Sequence, residues 1–384
     1  MKRVVRSFRG IALGAAVAYA AAAGGCGGKV VVDATSLDAG GGSGGGGGGG
    51  DCTPGAVKCA GGVPQTCDAS GHWQSEGAPT IAAGSGHTCA RKADGTLWCW
   101  GANTKGQLGD GTTNDSPVPV QVSALGATVV DIAAGYEHTC ARRTDGTLWC
   151  WGGNGGGELG NGTTNDSLVP VQVGALGATV AGVAAAWAHA CARKTDGTLW
   201  CWGSGGEGTY SKVPMQVSAL GATVAGVAAG RWHTCARKAD GTLWCWGANT
   251  NGQVGDGTTN WSFVPVQVSA LGTAVVGVAA GSDHTCARVA DSTLWCWGAN
   301  DFGELGDGTT NMSLVPVQVS ALGAAVVDVV AAVGYSHTCA RKTDGTLWCW
   351  GGNSGGQLGD GTTNDSPMPV QVPLSLGTAC PPTP

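Results

Sequence analysis

The stretch His87–Gly101, "HTCARKADGTLWCWG", decides the fold, because near-copies of it begin at His138, His189, His233, His284 and His337. Taken as a hairpin, it turns on Ala93-Asp94-Gly95, with Gly95 supplying the positive φ that a type I turn plus bulge needs. Lys92 then faces Thr96, Arg91 faces Leu97, Ala90 faces Trp98 and Cys89 faces Cys99. Directly opposed residues in antiparallel strands stand about 4.5 to 5.5 Å apart at Cα, within the span a disulfide bridges. The turn therefore pairs the cysteines as 89 with 99, and by repetition Cys140 with Cys150, Cys191 with Cys201, Cys235 with Cys245, Cys286 with Cys296, and Cys339 with Cys349. Zinc fits less well, since structural zinc asks for closely spaced, converging cysteine pairs. Each small disulfide ring contributes on the order of 2.5 to 3 kcal/mol in the chain-entropy model.

Successive first cysteines of the copies lie 51, 51, 44, 51 and 53 residues apart. A period near 50 with several short strands per copy is the signature of a propeller rather than a helical solenoid. Each copy supplies four strands, of the types "TVVDIAAG", "HTCAR", "TLWCWG" and "VPVQV", and no stretch sustains a helical period. The expected fold is all-β, a closed propeller of about six four-stranded blades over residues 79–378. The last copy ends at "PMPVQV" and the first is preceded by "TIAAG", so these two ends are expected to complete one blade together and close the ring.

The flanking sequence points to export. Residues 1–25 carry Lys2, Arg3, Arg6 and Arg9, then the apolar run "IALGAAVAYAAAA", too short to span a bilayer, then small residues before Cys26, the pattern of a secretory signal. "AAAGGC" is similar to a bacterial lipobox, with Ala23 where Leu is usual, which makes Cys26 the expected lipidation site. Residues 26–51 are a glycine-rich tether, which behaves as a flexible coil. Residues 52–78 form a small cysteine-rich module whose Cys52, Cys59 and Cys67, with Cys380, could make two further bridges; the even remainder suits an oxidised, exported chain. The expected location is the bacterial outer membrane or cell surface. With a net charge of −6, made more negative by loss of the basic signal, the chain excludes nucleic acid as a natural partner.

The pattern G-x-x-H-T-C-A…D-G-T…W-G-x-N-x-x-G-Q-L-G-D-G…P-V, seen in "WCWGANTKGQLGDGTTNDSPVPVQV", resembles the repeats of the regulator of chromosome condensation family. The resemblance covers about Thr80 to Leu376 and implies a propeller, most often of seven blades, where six copies are counted here. It also implies roles as guanine nucleotide exchange factors, interaction platforms or, in secreted bacterial cases, β-lactamase inhibitory proteins. The third copy departs from the pattern, with "WGSGGEGTYSKVP" in place of the longer loop.

Against this constant background, the informative positions are those that differ among copies. The pair before each His varies, giving Tyr136 and Glu137, Trp187, Arg231 and Trp232, Asp283, and Tyr335. The loop after each Trp-Gly varies and contributes Phe302, and the segment after "GTTN" contributes Trp261 and Phe263. In a four-stranded meander alternate loops emerge on one side, so the first two sites share a rim and the Asp-Gly turns lie opposite. Aromatic and Arg side chains on loops over a rigid scaffold suit recognition. The expected function is binding of a protein or glycan by a monomer, without catalysis, metal or cofactor. The alternatives are an envelope enzyme on polysaccharide using Glu137, Glu158 and Glu304, or exchange-factor activity by resemblance. The six histidines are expected to serve structure within each blade, since they are spaced too widely for one ion. "GDGTTND" lacks the alternating acidic ligands of a calcium loop.

Overall fold

The computed structural model describes residues 80–204, 210–334 and 336–375, together with the backbone of four short strands nearer the N-terminus, Gly28–Val31, Val57–Ala60, Val63–Cys67 and Trp73–Ser75. The calls on residues 1–25, on Cys26, on Tyr335 and on the bridges of Cys52, Cys59, Cys67 and Cys380 lie outside the described residues.

Six blades of four antiparallel strands, the first carrying Gly28–Val31 as an additional strand on its inner edge, surround a central channel. Blade 1 runs Thr80–Ala83, His87–Arg91, Leu97–Gly101 and Ser116–Gln121, from the channel outward. Blades 2 to 6 repeat this order, their second strands beginning at His138, His189, His233, His284 and His337. The hairpin register is the one the turn dictates, with Arg91 opposite Leu97, Ala90 opposite Trp98 and Cys89 opposite Cys99. All six disulfides form, at Cα separations of 4.0 to 4.1 Å.

Ring closure differs from the expectation. Thr80–Ala83 pairs with His87–Arg91 within blade 1 itself, with Gly28–Val31 paired along its other edge, while blade 6 builds all four strands from Val326–Ser375. The reason is local. A tight turn at Gly84-Ser85-Gly86, closed by the Gly84 amide donating to the His87 carbonyl at 2.8 Å, delivers the first strand to its neighbour in sequence.

The constancy of the Asp-Gly hairpin has a packing cause. Asp94 accepts hydrogen bonds from the Thr96 amide at 2.9 Å and the Thr96 hydroxyl at 2.6 Å, and the Trp98 indole donates back to that hydroxyl at 3.0 Å. Lys92 lies 4.3 Å above the Trp98 ring, a cation–π contact repeated by Lys194, Lys238 and Lys342 on Trp200, Trp244 and Trp348. Gly95 needs its φ of 80°, and a Cβ there would meet the Ala127 carbonyl at 2.7 Å. In blade 5 the equivalent residue is Ser292, held at φ 66°.

The core lies between blades. In blades 2 to 6 the second Trp of the third strand inserts against the preceding blade: Trp151, Trp202, Trp246, Trp297 and Trp350 are at most 3% exposed. Four of them donate an indole hydrogen bond to a carbonyl there, those of Gln107, Glu158, Gln253 and Glu304, at 2.7 to 3.0 Å. Five apolar clusters each join two consecutive blades.

The histidines also work between blades, which corrects the expectation that each acts within its own. The Nε2 atoms of His87, His189, His233 and His284 lie 2.8 to 2.9 Å from the hydroxyls of Thr139, Thr234, Thr285 and Thr338 in the next blade. The Thr139, Thr285 and Thr338 hydroxyls donate onward to the carbonyls of Gln107, Gln253 and Glu304, so the imidazole is the donor to them. Burial pushes His87 and His189 down to about 4 and His138, His233 and His284 down to about 3, so all five are neutral.

Candidate functional site

The loops fall on two faces as the meander requires. The loop before each His is tied to the loop after Trp-Gly by one backbone bond, for example the Gly153 amide to the Glu137 carbonyl at 2.7 Å and the Ala248 amide to the Trp232 carbonyl at 2.8 Å. On the opposite face the Asp-Gly turn is tied to the segment after "SALG", where the Val129 amide donates to the Gly95 carbonyl at 3.0 Å.

On the first face the variable residues of three successive blades touch, and that of a fourth lies within their electrostatic reach. The Tyr136 and Trp187 rings stack at 3.6 Å between centroids with 23° between planes. The Arg231 guanidinium stands 4.5 Å over the Trp187 ring, close enough for cation–π attraction. Arg231 in turn attracts the Asp283 carboxyl, whose pKa burial pushes up against that attraction, and Asp283 accepts from the Gln253 side-chain amide at 3.3 Å. Tyr136, Trp187, Arg231 and Asp283 are all half-buried, so each presents one face to its neighbour and another to solvent.

Beside the stack, a cleft is lined by Lys105, Tyr136, Glu137, Glu158, Asp166 and Trp187 among others. Lys105 pairs with Asp166 at 3.2 Å across the boundary between blades 1 and 2. The cleft thus offers an aromatic wall and an acidic floor.

The remaining predicted residues divide. Phe302 is 47% exposed on the loop after Trp297-Gly298, on the same face as the stack, and leans toward Gly352 of blade 6. Trp232 is half-buried beside Arg231. Trp261 and Phe263, 53% and 55% exposed, pack on one another at 6.3 Å, but they belong to the outermost strand of blade 4 and its approach, on the perimeter of the ring. Sequence spacing could not separate perimeter from rim, because both follow variable loops.

Two carboxylates named for a hydrolytic role are otherwise engaged. Glu158 accepts from the Gly156 amide at 2.9 Å and Glu304 from the Phe302 amide at 2.9 Å, as the Gln107, Gln253 and Gln357 side chains do in their blades. What this position requires is a side-chain oxygen to close a loop. Burial pushes both carboxyls up. The Asn that opens most of these loops is likewise structural: Asn103, Asn154, Asn249, Asn300 and Asn353 are fully buried, each accepting from the amide five residues on at 2.9 Å. Asp110 of "GDGTT" accepts from the Thr112 amide at 3.0 Å, so its carboxylate holds the turn.

Comparison with known proteins places these features in context. The RCC1-like domain family model matches residues 40–380. The chain is 34% identical over 296 residues to the ultraviolet-B receptor UVR8 of Arabidopsis thaliana, covering 76% of this chain and 57% of that protein. It is 32% identical over 302 residues to the human E3 ubiquitin-protein ligase HERC2, covering 77% of this chain and 5% of the ligase. The chain therefore spans just over half of the first relative and a small part of the second. Among solved structures it superposes on human WBSCR16 with a TM-score of 0.68 at 25% identity, covering 77% of this chain and 81% of that one. It also superposes on Prp20p from Saccharomyces cerevisiae, studied for its binding to Gsp1p and histones, with a TM-score of 0.68 at 21% identity and 78% coverage of each.

Proposed function

The chain belongs to the RCC1-like domain family, and from that premise we propose that it is a non-catalytic propeller that binds a protein partner through the rim carrying Tyr136, Trp187, Arg231 and Asp283. The observation that carries this reading is the stack itself. These positions vary among otherwise constant copies, yet in the folded ring Tyr136, Trp187 and Arg231 meet across three blades, with Asp283 of the fourth attracted by Arg231. Prefolded aromatic and guanidinium groups lose little conformational entropy on binding and anchor interfaces well. The acidic floor of Glu137, Glu158 and Asp166 favours a partner bringing Lys or Arg and apolar side chains. That a relative in fold binds the proteins Gsp1p and histones supports protein as the class of partner.

In the same reading the chain is exported by residues 1–25 and held at the envelope by a lipid on Cys26. The test is capture from envelope extracts by the mature chain beside a variant with Tyr136→Ser, Trp187→Ser and Arg231→Ser, checked for an unchanged melting temperature. Partners retained by the native chain and lost by the variant support the rim. Equal capture by both, or capture of glycan alone, removes the proposal. Palmitate labelling that persists in Cys26→Ser would remove the anchor.

A further inference from the structure

Arg91, Arg142, Arg193, Arg237, Arg288 and Arg341 hold one equivalent position, each in register opposite a residue of the neighbouring inner strand. Arg142 stands opposite Asp131 and Arg341 opposite Asp328, while the Arg91 Nε donates to the Val129 carbonyl at 2.8 Å. In blades 3, 4 and 5 the place of the carboxylate is taken by Gly182, Gly226 and Gly277, opposite Arg193, Arg237 and Arg288. Three successive blades therefore carry the guanidinium group without an acid opposite it.

The three side chains lie over those glycines. Their Nε atoms stand 3.7 to 3.9 Å from the point where a Cβ would project from Gly277, Gly226 and Gly182. Among the described residues no carboxylate pairs with any of the three, and their hydrogen bonds are two long ones: Arg193 Nη2 donates to the Ala181 carbonyl at 3.4 Å and Arg237 Nη1 to the Lys238 carbonyl at 3.5 Å. Most of each fork of N–H donors is left without a protein acceptor. Arg237, in the middle, is held below its ordinary pKa by burial first and then by repulsion from Arg193 and Arg288, so the three lie within electrostatic reach of one another. The residues that follow the glycines, Val183, Val227 and Val278, line the central channel, whose volume is about 210 Å³. Their strands start from the Asp-Gly turns, where the Val180, Val224 and Val275 amides donate to the Gly146, Gly197 and Gly241 carbonyls at 2.9 to 3.0 Å. The arginines thus stand at the end of the channel on the face opposite the aromatic rim.

We propose that Arg193, Arg237 and Arg288 form a binding site for a small multivalent oxyanion, a polycarboxylate or a phosphate, at this end of the channel. Three forked cations stand side by side, and the guanidinium fork matches the paired oxygens of carboxylate and phosphate. Half-buried like charges destabilise one another until a counter-charge arrives, so a ligand with two or more negative charges gains more here than chloride does. The net charge of −6 repels anions from the chain as a whole, so an anion is retained only where the local field is positive. The apolar channel wall beyond the arginines lowers the local dielectric and strengthens the attraction.

Isothermal titration of the full chain with citrate and with pyrophosphate, each against sodium chloride at matched ionic strength, tests this, and the arm that binds more tightly tells carboxylate from phosphate. Gly226→Asp gives blade 4 the carboxylate that blades 2 and 6 carry, and its added Cβ meets nothing closer than 3.8 Å, all of it Arg237 side chain. Gly226→Asp and Arg237→Gln are each expected to weaken binding about tenfold to a hundredfold, the loss of one charge-assisted contact. Arg231→Ser, on the opposite face, is expected to bind as the native chain does. Binding of neither anion above the chloride reference, an unchanged affinity in the two site variants, or a loss in Arg231→Ser equal to theirs overturns the proposal. Where one site variant does not fold, the other decides.

Discussion

Replacing Ala190 with Thr should stabilise the protein, because blade 3 lacks the hydroxyl that its equivalents present to the preceding histidine. The third copy reads "HACAR" where the others read "HTCAR". His138 accordingly has a buried Nε2 with no partner, while His87, His189, His233 and His284 each meet a threonine hydroxyl at 2.8 to 2.9 Å. A threonine at 190 would accept from His138 and donate to the Glu158 carbonyl, which otherwise receives only the Trp202 indole among the bonds seen. Each bond is worth about 1 kcal/mol net, and ending the unsatisfied state of a buried donor is worth about 1 to 3 kcal/mol, so a gain of about 1 to 2 kcal/mol is expected. In calorimetry that is a rise in Tm of about 2 to 3 °C for a domain of this size. Thr285→Ala makes the reverse change between blades 4 and 5, orphaning His233, and should cost about 1 to 3 kcal/mol. A neutral or destabilising Ala190→Thr together with a harmless Thr285→Ala would refute the view that this contact holds blades together.

Other consequences follow from the same geometry. The five histidines held neutral at about 3 to 4 bind protons only in the unfolded chain between about pH 6.5 and their folded values, so stability is full above pH 6.5 and is lost as pH falls. Each should contribute about 2 kcal/mol of loss between pH 7 and pH 5, seen as a steep fall in the urea midpoint; a flat profile over that range would contradict their burial. Ser292→Gly should raise stability by about 1 kcal/mol by relieving a side chain at φ 66°, whereas Gly95→Ser should lower it; thermal melts of both variants check the pair. Replacing Cys235 and Cys245 together by serine should cost about 2.5 to 3 kcal/mol in denaturant, with the propeller circular dichroism retained, since one ring in six is opened.

Much of the fold is legible from the residues because its determinants are local. The Asp-Gly turn sets the hairpin register, the register sets the disulfides, and sixfold repetition turns one hairpin into a ring; the face on which each loop emerges follows from the meander alone. The roles of the histidine and of the second Trp in "WCWG" were not legible. Each acts on a residue 44 to 52 positions away in a neighbouring blade, a separation that carries no periodic signal. Closure is not legible for the related reason that a strand at the end of a repeat array can pair forward or backward, and only the turn at Gly84 decides.

The variable rim shows the same division. That Tyr136, Trp187, Arg231 and Asp283 differ among copies is visible in the sequence. That three of them stack, while Trp261 and Phe263 go to the perimeter, depends on the angle between adjacent blades and on which strand carries each loop. The sequence by itself determined the central hairpin of each blade, because its partners, from Arg91 and Leu97 to His87 and Gly101, follow one turn in the chain. Only the tertiary structure decided the assembly of blades, because inter-blade packing, and with it the rim surface, joins residues a whole repeat apart that the curvature of the ring brings together.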